Sequence, residues 1–555
     1  MKLATVGARS YSVWLCVVLA VGLALRIWGI RSGLPNDLHY FSYHPDESMV
    51  LFAAMRIDLL HGRFLPHFYN YGSLQLILIN FVNTVAFVFG GAPFVIRAYA
   101  THHAALAQMY LLGRLLSVAM GVGTVWATAS TGTRLWGRRA GLLAAAFLAV
   151  MPLHVQQSHW CTVDVPSAFW EMLCFLALAH AISERRAASR WTSDIALFAW
   201  AGVAIGFASA TKYNMGLLAI PAGTALFLGP RRPVARCAAV CAASCVIAFV
   251  AGCPGFIWDH SAWVRDFLYE VHHTRSLPGI EFVNTGNGLL YLVGHTLDAA
   301  LGLPMLLLSG VGLAMAVKRR SPGDILLAGF SVVYTAVISI AVVRYARYAI
   351  PLLPILALWC GAAAAPCFSV YRASVRSCLI GLCALTGAGT AAYAVWVVAP
   401  MAGPETRDVA YRYIIANDGN NFTVGYPRMP WFQSVPVSPW MCLPIPGRWT
   451  SPGLLTDDLA KRVVYSTLDW DVVRLRVQAP QVVVISEFDR MDAVRLQLPS
   501  ARDYMAYLRG AYSPGITFGH RRPPLGVFMP DLPNDMLHND PEITVYTRRA
   551  VNVLQ

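Results

Sequence analysis

Charge is scarce in this chain. Only 13% of its 555 residues are Asp, Glu, Lys or Arg, about half the share found in ordinary soluble domains, while 57% are hydrophobic and the mean hydropathy is +0.52. A water-solvated globule is excluded for most of the sequence, whose solvent must be lipid. Acids are outnumbered by bases, 29 against 43, for a formal charge of +14. Such an excess can mark a nucleic-acid binder, but it also arises when cytoplasmic loops of a membrane protein collect Lys and Arg. The positions of the bases select the second reading, and no nucleic-acid partner is expected. Paired cysteine motifs are missing: eleven of the twelve cysteines lie in or beside apolar runs, only Cys442 falls in a polar stretch, and no CxxC or Cys/His spacing occurs. That excludes a disulfide framework and a structural zinc. No Gly-rich phosphate loop is present, which argues against a nucleotide donor. Internal repeats and low-complexity tracts are absent too. The first apolar stretch, Tyr11 to Ile30, has no small-residue cleavage site and reads as a retained span rather than a signal peptide.

What the chain does have is long apolar runs, near 11-30, 72-96, 110-131, 140-156, 163-183, 192-210, 214-229, 237-256, 299-317, 324-343, 348-366 and 377-399, each offered to about 30 Å of hydrocarbon. Basic clusters sit at alternate connections: Arg134/Arg138/Arg139, Arg185/Arg186/Arg190, Arg231/Arg232/Arg236, Lys318/Arg319/Arg320 and Arg372/Arg376. Placing all of them in the cytoplasm with Lys2 and Arg9 sends the intervening loops outward. The loops at 31-71 and at His159 to Asp164 are then both external, so only 110-131 and 140-156 cross between them, and 72-96 becomes a juxtamembrane or re-entrant helix. The expected fold is an all-α polytopic membrane domain over 1-400, with about eleven transmembrane helices plus outer juxtamembrane helices. From about Pro400 charges and prolines return. Helical patterns at Thr406 to Ala416 and Ala501 to Arg509, and strands at Phe422 to Tyr426, Val482 to Ser486 and Ile543 to Thr547, predict a small extracytoplasmic α/β domain over 401-555. The N-terminus is then cytoplasmic.

Chemistry concentrates on the outer face. Tyr43-His44-Pro45-Asp46-Glu47 puts adjacent carboxylates just after a span, which is costly unless they are paired or functional. Pro45 suits a first helical position, and Asp46 near the helix N-terminus would stay ionised in its dipole; a plain capping role for Asp46 is the alternative. Asp164, one residue before Val165-Pro166, invites the same two readings. Lys212, Arg344 and Arg347 break the positive-inside pattern, and a lipid phosphate would suit them; snorkelling to headgroups or pairing with an acid is the alternative. In the loop from Ile257 to Gly288, His272 and His273 are neighbours and make a poor metal pair. Its aromatic residues can stack on sugar or anchor the loop at the interface.

These residues resemble the C-type (GT-C) membrane glycosyltransferase superfamily, in particular bacterial relatives of the protein O-mannosyltransferases and of the lipid A aminoarabinose transferase. The resemblance rests on the order of His44-Pro45-Asp46-Glu47, Tyr71-Gly72-Ser73-Leu74, Gly113-Arg114-Leu115-Leu116-Ser117, Ser158-His159 through Asp164-Val165-Pro166, Ala210-Thr211-Lys212-Tyr213, and Arg344 to Tyr348 with Pro351 and Pro354. It implies an enzyme of a bacterial inner or plasma membrane. Such an enzyme moves a hexose or pentose from a polyprenyl-phosphate carrier to an acceptor hydroxyl on protein, lipid or polysaccharide, with inversion. By the resemblance, Asp46 is the general base, Glu47 orients acceptor or backbone, and Asp164 helps bind the acceptor or a divalent ion. Lys212, Arg344 and Arg347 neutralise the departing phosphate, and Tyr71 and His159 join the substrate-binding surface. No cofactor is required outright, and a divalent cation is left open. Where relatives carry Lys-Pro-Pro or an acid before the juxtamembrane helix, Asn70-Tyr71-Gly72 stands here, which weakens any inherited metal site. A lipid-carrier flippase or transporter, with polar residues deep in its helices, and a non-catalytic envelope assembly protein are the competing readings.

Overall fold

The computed structural model describes residues 7-90, 103-183, 191-229, 232-276, 279-418, 422-428, 430, 432-436, 464-466, 468-519 and 532-549. Arg185, Arg186, Arg190, Arg231 and Cys442 lie outside the described residues.

Among these residues, eight helices are long and apolar enough to cross a membrane, or nine if the pair Gly288–Leu301 and Leu303–Arg319, bent by 117°, counts as one span. The expected eleven included 140-156 and 214-229, and both break into short pieces. The first becomes Arg138–Ala149 and Pro152–Gln157, the second a 3-10 turn Tyr213–Leu218 and the seven-residue helix Ala219–Ala225. Proline explains the first break, because Pro152 has no N–H to continue the preceding helix and fits only a first turn. Within the run at 72-96 the described residues form a helix over Leu74–Gly90, 17 residues or about 26 Å long.

Side-chain contacts sort the helix ends into two poles. At one, Thr133 donates to the Tyr11 hydroxyl at 3.0 Å, the Trp136 indole donates to Ser321 at 3.3 Å, and the Arg139 and Arg319 guanidinium groups lie over Phe368 and Trp136. Basic connections separated in sequence therefore share one end of the bundle. At the other pole the loop 31-44, the turn at 158-163, Lys212 and Arg347 converge. The 34-residue helix His103–Trp136 joins the poles, about 50 Å of axis, with Arg114 in its first half and Arg134 in its last turn. Apolar side chains such as Val246, Leu307 and Val332 remain exposed along the helices that run between them, as a lipid-facing surface requires.

The C-terminal part contains a mixed five-stranded sheet in the order β2-β1-β3-β5-β4, with β1 Val424–Tyr426, β2 Val464–Ser466, β3 Val482–Ser486, β4 Ile516–Phe518 and β5 Ile543–Thr547. β1 runs parallel to β2 and β3, and β5 antiparallel to β3 and β4. This layer is fastened to the first loop: Asn36 and Tyr43 donate to Asp408 at 2.7 and 2.6 Å, and the Arg407 guanidinium stacks on Tyr43 at 3.9 Å. Phe488, Leu532, Met536 and Leu537 enter the same core as the helical bundle.

Candidate active site

The adjacent carboxylates of the first loop have opposite surroundings. His44 is the cap and Pro45 the first residue of the helix Pro45–Ala54, so Asp46 and Glu47 both fall in its first turn. One residue along a helix is a rotation of about 100°, which sends the two side chains to different faces. Asp46 reaches the Arg347 guanidinium at 3.1 Å, both partly exposed. Glu47 is enclosed instead. Arg114 donates to it twice, at 2.8 and 2.7 Å, the Cys161 N–H donates at 2.6 Å, and the Ser42 hydroxyl completes its shell. Neither Glu47 nor Arg114 is exposed. Of the two orienting roles expected of Glu47, toward acceptor or toward backbone, its contacts fit the second: its carboxylate accepts from Arg114, from the Cys161 N–H and from Ser42, and it ties loop, helix and the Cys161 turn together. Gly113 permits this, since a Cβ there would stand 2.2 Å from the Cys161 sulfur.

Asp164 starts the helix Asp164–Ser183 and accepts from the Lys212 ammonium at 2.6 Å. Lys212 also lies over the Tyr348 ring at 4.9 Å, and Arg347 stacks on Tyr345 at 4.0 Å and on Tyr348 at 5.8 Å. The tyrosines thus join the Asp164–Lys212 pair to the Asp46–Arg347 pair. Tyr71 belongs to this group: its carbonyl accepts from Tyr213 at 3.1 Å, and burial first and the neighbouring Asp46 next push its phenol well above the ordinary value. Gly72 beside it must lack a Cβ, which would fall 1.9 Å from the Ala210 carbonyl oxygen; this close approach is what brings Tyr71 and Lys212 together. A divalent ion at Asp164 would have to displace Lys212, whose ammonium already supplies the positive charge. Among the described residues no three His, Cys, Asp or Glu side chains form a metal-binding group.

Arg344 points elsewhere. It donates to the Thr285 hydroxyl at 2.9 Å, lies over Tyr291 at 5.5 Å, and lines a small, half-open cavity with Gly288, Tyr291, Leu292, Thr296, Ile338, Tyr345 and Tyr348. The same two tyrosines therefore form one wall of this cavity and the stacking surface for Arg347 and Lys212.

His159 does not join the substrate-binding surface. Its two ring nitrogens lie 2.9 Å from the carbonyl oxygens of Val155 and Trp28, so it fastens the 152-163 segment to the first span. Burial brings its pKa down to about 4. His44 and His538, with rings 5.6 Å apart, are likewise pushed well below the ordinary value by burial, and further by Arg347 beside His44 and by His44 beside His538. In the unfolded chain these imidazoles protonate near 6.5, so the unfolded state binds more protons between about 6.5 and about 4 and gains on the folded one as pH drops through that window. The melting temperature of the purified protein is expected to fall between about pH 7 and pH 5, with a smaller fall in His538→Gln.

Two carboxylates near the site carry no sequence signal. Asp535 lies in the 3-10 turn Asn534–Asn539, accepts from the N–H groups of Ala346 and Arg347 at 3.0 and 2.9 Å, and sits 3.6 Å from the Arg347 guanidinium. Glu270 accepts from Asn70 at 2.8 Å, and its pKa is raised by burial against the field of Lys212 and Arg347. Neither shows a periodic or paired pattern, so only the fold reveals them. Glu171 is fully buried within a span and among the described residues has no hydrogen-bond partner.

Comparison with known proteins bears on the fold. The family model described as dolichyl-phosphate-mannose-protein mannosyltransferase matches residues 93–258. The crystal structure of ArnT from Cupriavidus metallidurans bound to undecaprenyl phosphate superposes with a TM-score of 0.53 at 13% identity, over 97% of this chain and 98% of that one. The two chains share a fold. The apo oligosaccharyltransferase of Archaeoglobus fulgidus superposes with a TM-score of 0.51 at 12% identity, over 94% of this chain and 75% of that one. No curated protein sequence matches the chain.

Proposed function

We propose that the protein transfers a monosaccharide from a polyprenyl-phosphate carrier to an acceptor hydroxyl on the extracytoplasmic side of the membrane, with inversion. The observation that carries this reading is the meeting of the Asp46–Arg347 pair and the Arg344 cavity across the shared wall of Tyr345 and Tyr348. A carboxylate that can take a proton and a cation facing an apolar cavity are the two halves of a sugar transfer from a lipid phosphate. The carrier phosphate lies against Arg344, with its isoprenoid tail along Leu292 and Ile338 toward lipid. Arg347 and Lys212 stabilise the charge that builds on the phosphate as the bond from the sugar anomeric carbon to its oxygen breaks. Asp46 accepts the proton of the attacking hydroxyl while the new carbon–oxygen bond forms on the opposite face, and the electron pair of the broken bond leaves with the phosphate. Asp164 fixes Lys212. The gathering of Arg134, Arg139 and Arg319 at the opposite pole supports an external site, through the positive-inside bias.

The relative that superposes over nearly its whole length carries undecaprenyl phosphate, so this lipid is the probe for the test. In nanodiscs the native protein is expected to bind it, and Arg344→Gln to weaken binding by roughly tenfold or more, the value of one charge-assisted hydrogen bond. Equal binding by both proteins would remove the donor site from this cavity. One observation, the buried Glu171, favours a second reading as a carrier transporter; in that case Asp46→Asn would leave function intact.

A further inference from the structure

The connection between the outer helix His260–His273 and the bent span at Gly288 has no regular structure over residues 279-287, yet it supplies the partner of Arg344. Thr285 accepts from that guanidinium at 2.9 Å and donates to the Phe282 carbonyl at 2.8 Å. The loop's own hydrogen bonds are few, and ordering an irregular segment costs conformational entropy residue by residue. The bundle meets it through Tyr345, whose hydroxyl donates to Glu281 at 3.4 Å and whose ring stands edge-on to Phe282, and the C-terminal part adds the bonds to its backbone. Arg495, the last residue of the helix Glu487–Arg495, donates to the carbonyl oxygens of Ile280 and Glu281 at 2.9 and 3.1 Å and to that of Val283. Asp492 holds the same guanidinium from behind at 2.9 Å. Three carbonyls within four residues on one planar fork fix both the position and the tilt of the loop.

We infer that Arg495 is a positioning residue for the carrier site: through the 280–285 loop and Thr285 it sets the Arg344 guanidinium against the cavity, so that the C-terminal part completes the donor pocket. A second contact of the same kind supports this, since Asp535 from the C-terminal part binds the backbone at Ala346 and Arg347. Carrier recognition is thereby coupled to the docking of the C-terminal layer, a coupling that the bundle alone does not provide. The inference rests on the proposed reading of the Arg344 cavity.

The test uses the full chain in nanodiscs with undecaprenyl phosphate as the probe. Arg495 is a third exposed, so its replacement leaves the buried core in place, which a thermal melt checks. Arg495→Ala and Arg495→Lys are both expected to weaken binding by roughly tenfold, because lysine keeps the charge but cannot fork across three carbonyls. Thr285→Val is expected to do the same, and adding Arg495→Ala to Arg344→Gln to change nothing further, as a shared path requires. Absence of binding by the native protein overturns the donor-site reading and this inference together. Native binding weakened by Arg344→Gln but unchanged by Arg495→Ala overturns the inference alone. So does full rescue by Arg495→Lys, which would make the effect one of charge, or additive losses in the double variant, which would make it one of general stability.

Discussion

Asp46→Asn is expected to lower sugar transfer by roughly 10²- to 10⁴-fold, the contribution of a positioned general base, while leaving undecaprenyl phosphate binding close to native. The amide fills the same space at the first turn of its helix and can still accept from Arg347, so the ion pair becomes a hydrogen bond and the local fold survives. It cannot take a proton from an attacking hydroxyl. The loss should therefore fall on the chemical step and not on carrier affinity, the opposite of Arg344→Gln. The measurement is mass spectrometry of cell-envelope glycans and glycoproteins from cells carrying native protein, Asp46→Asn or none. The native protein should restore a hexose or pentose that both other strains lack, and the mass of that sugar with its attachment point identifies donor and acceptor. Restoration by Asp46→Asn would mean that the pair with Arg347 serves structure or transport and not proton transfer.

The largest effect on stability is expected one residue away. Glu47 and Arg114 are fully buried and bonded through both guanidinium nitrogens that face the carboxylate, with Arg114 also donating to the carbonyls of Ile30 and Ser32 at 2.7 and 2.8 Å and stacking on Trp160 at 4.7 Å. Glu47→Ala leaves that guanidinium charged in a closed interior, and Arg114→Ala leaves the carboxylate so; each should cost about 3 to 5 kcal/mol, the penalty for an orphaned buried charge. The double replacement by apolar residues of similar volume, Glu47→Leu with Arg114→Met, should cost less than either single change, because no uncompensated charge remains. Thermal unfolding of the four proteins in one detergent decides this. A double variant as unstable as the sum of the singles would mean that Glu47 and Arg114 act separately, through Cys161 and through the Ile30–Ser32 carbonyls.

How far the site was legible depends on the residue. Asp46, Asp164, Lys212 and Arg347 stand out in the sequence because a charge in an apolar chain needs a reason, and all four meet in ion pairs at one pole. Glu47 and His159 carry the same signal for a different cause: their polar atoms are consumed by Arg114, by Cys161 and by backbone carbonyls. Sequence spacing does not distinguish a polar group that faces a cavity from one that bolts a loop, since both are buried and both are paired. Asp535 and Glu270 were illegible for the converse reason, lying in stretches where an acid is unremarkable.

By itself the sequence determined the solvent of this protein and the placement of most of its spans, because lipid forces every crossing segment to be apolar and to satisfy its own backbone hydrogen bonds. It also determined β3 and β5 to the residue, through runs of branched side chains bounded by polar ones. Tertiary structure alone decided that Asp46 meets Arg347 while Glu47 meets Arg114, and that the C-terminal layer reaches Arg347 and the loop beside Arg344. Those outcomes turn on contacts between residues far apart in the chain, and a local pattern carries no record of which distant surface a side chain will meet.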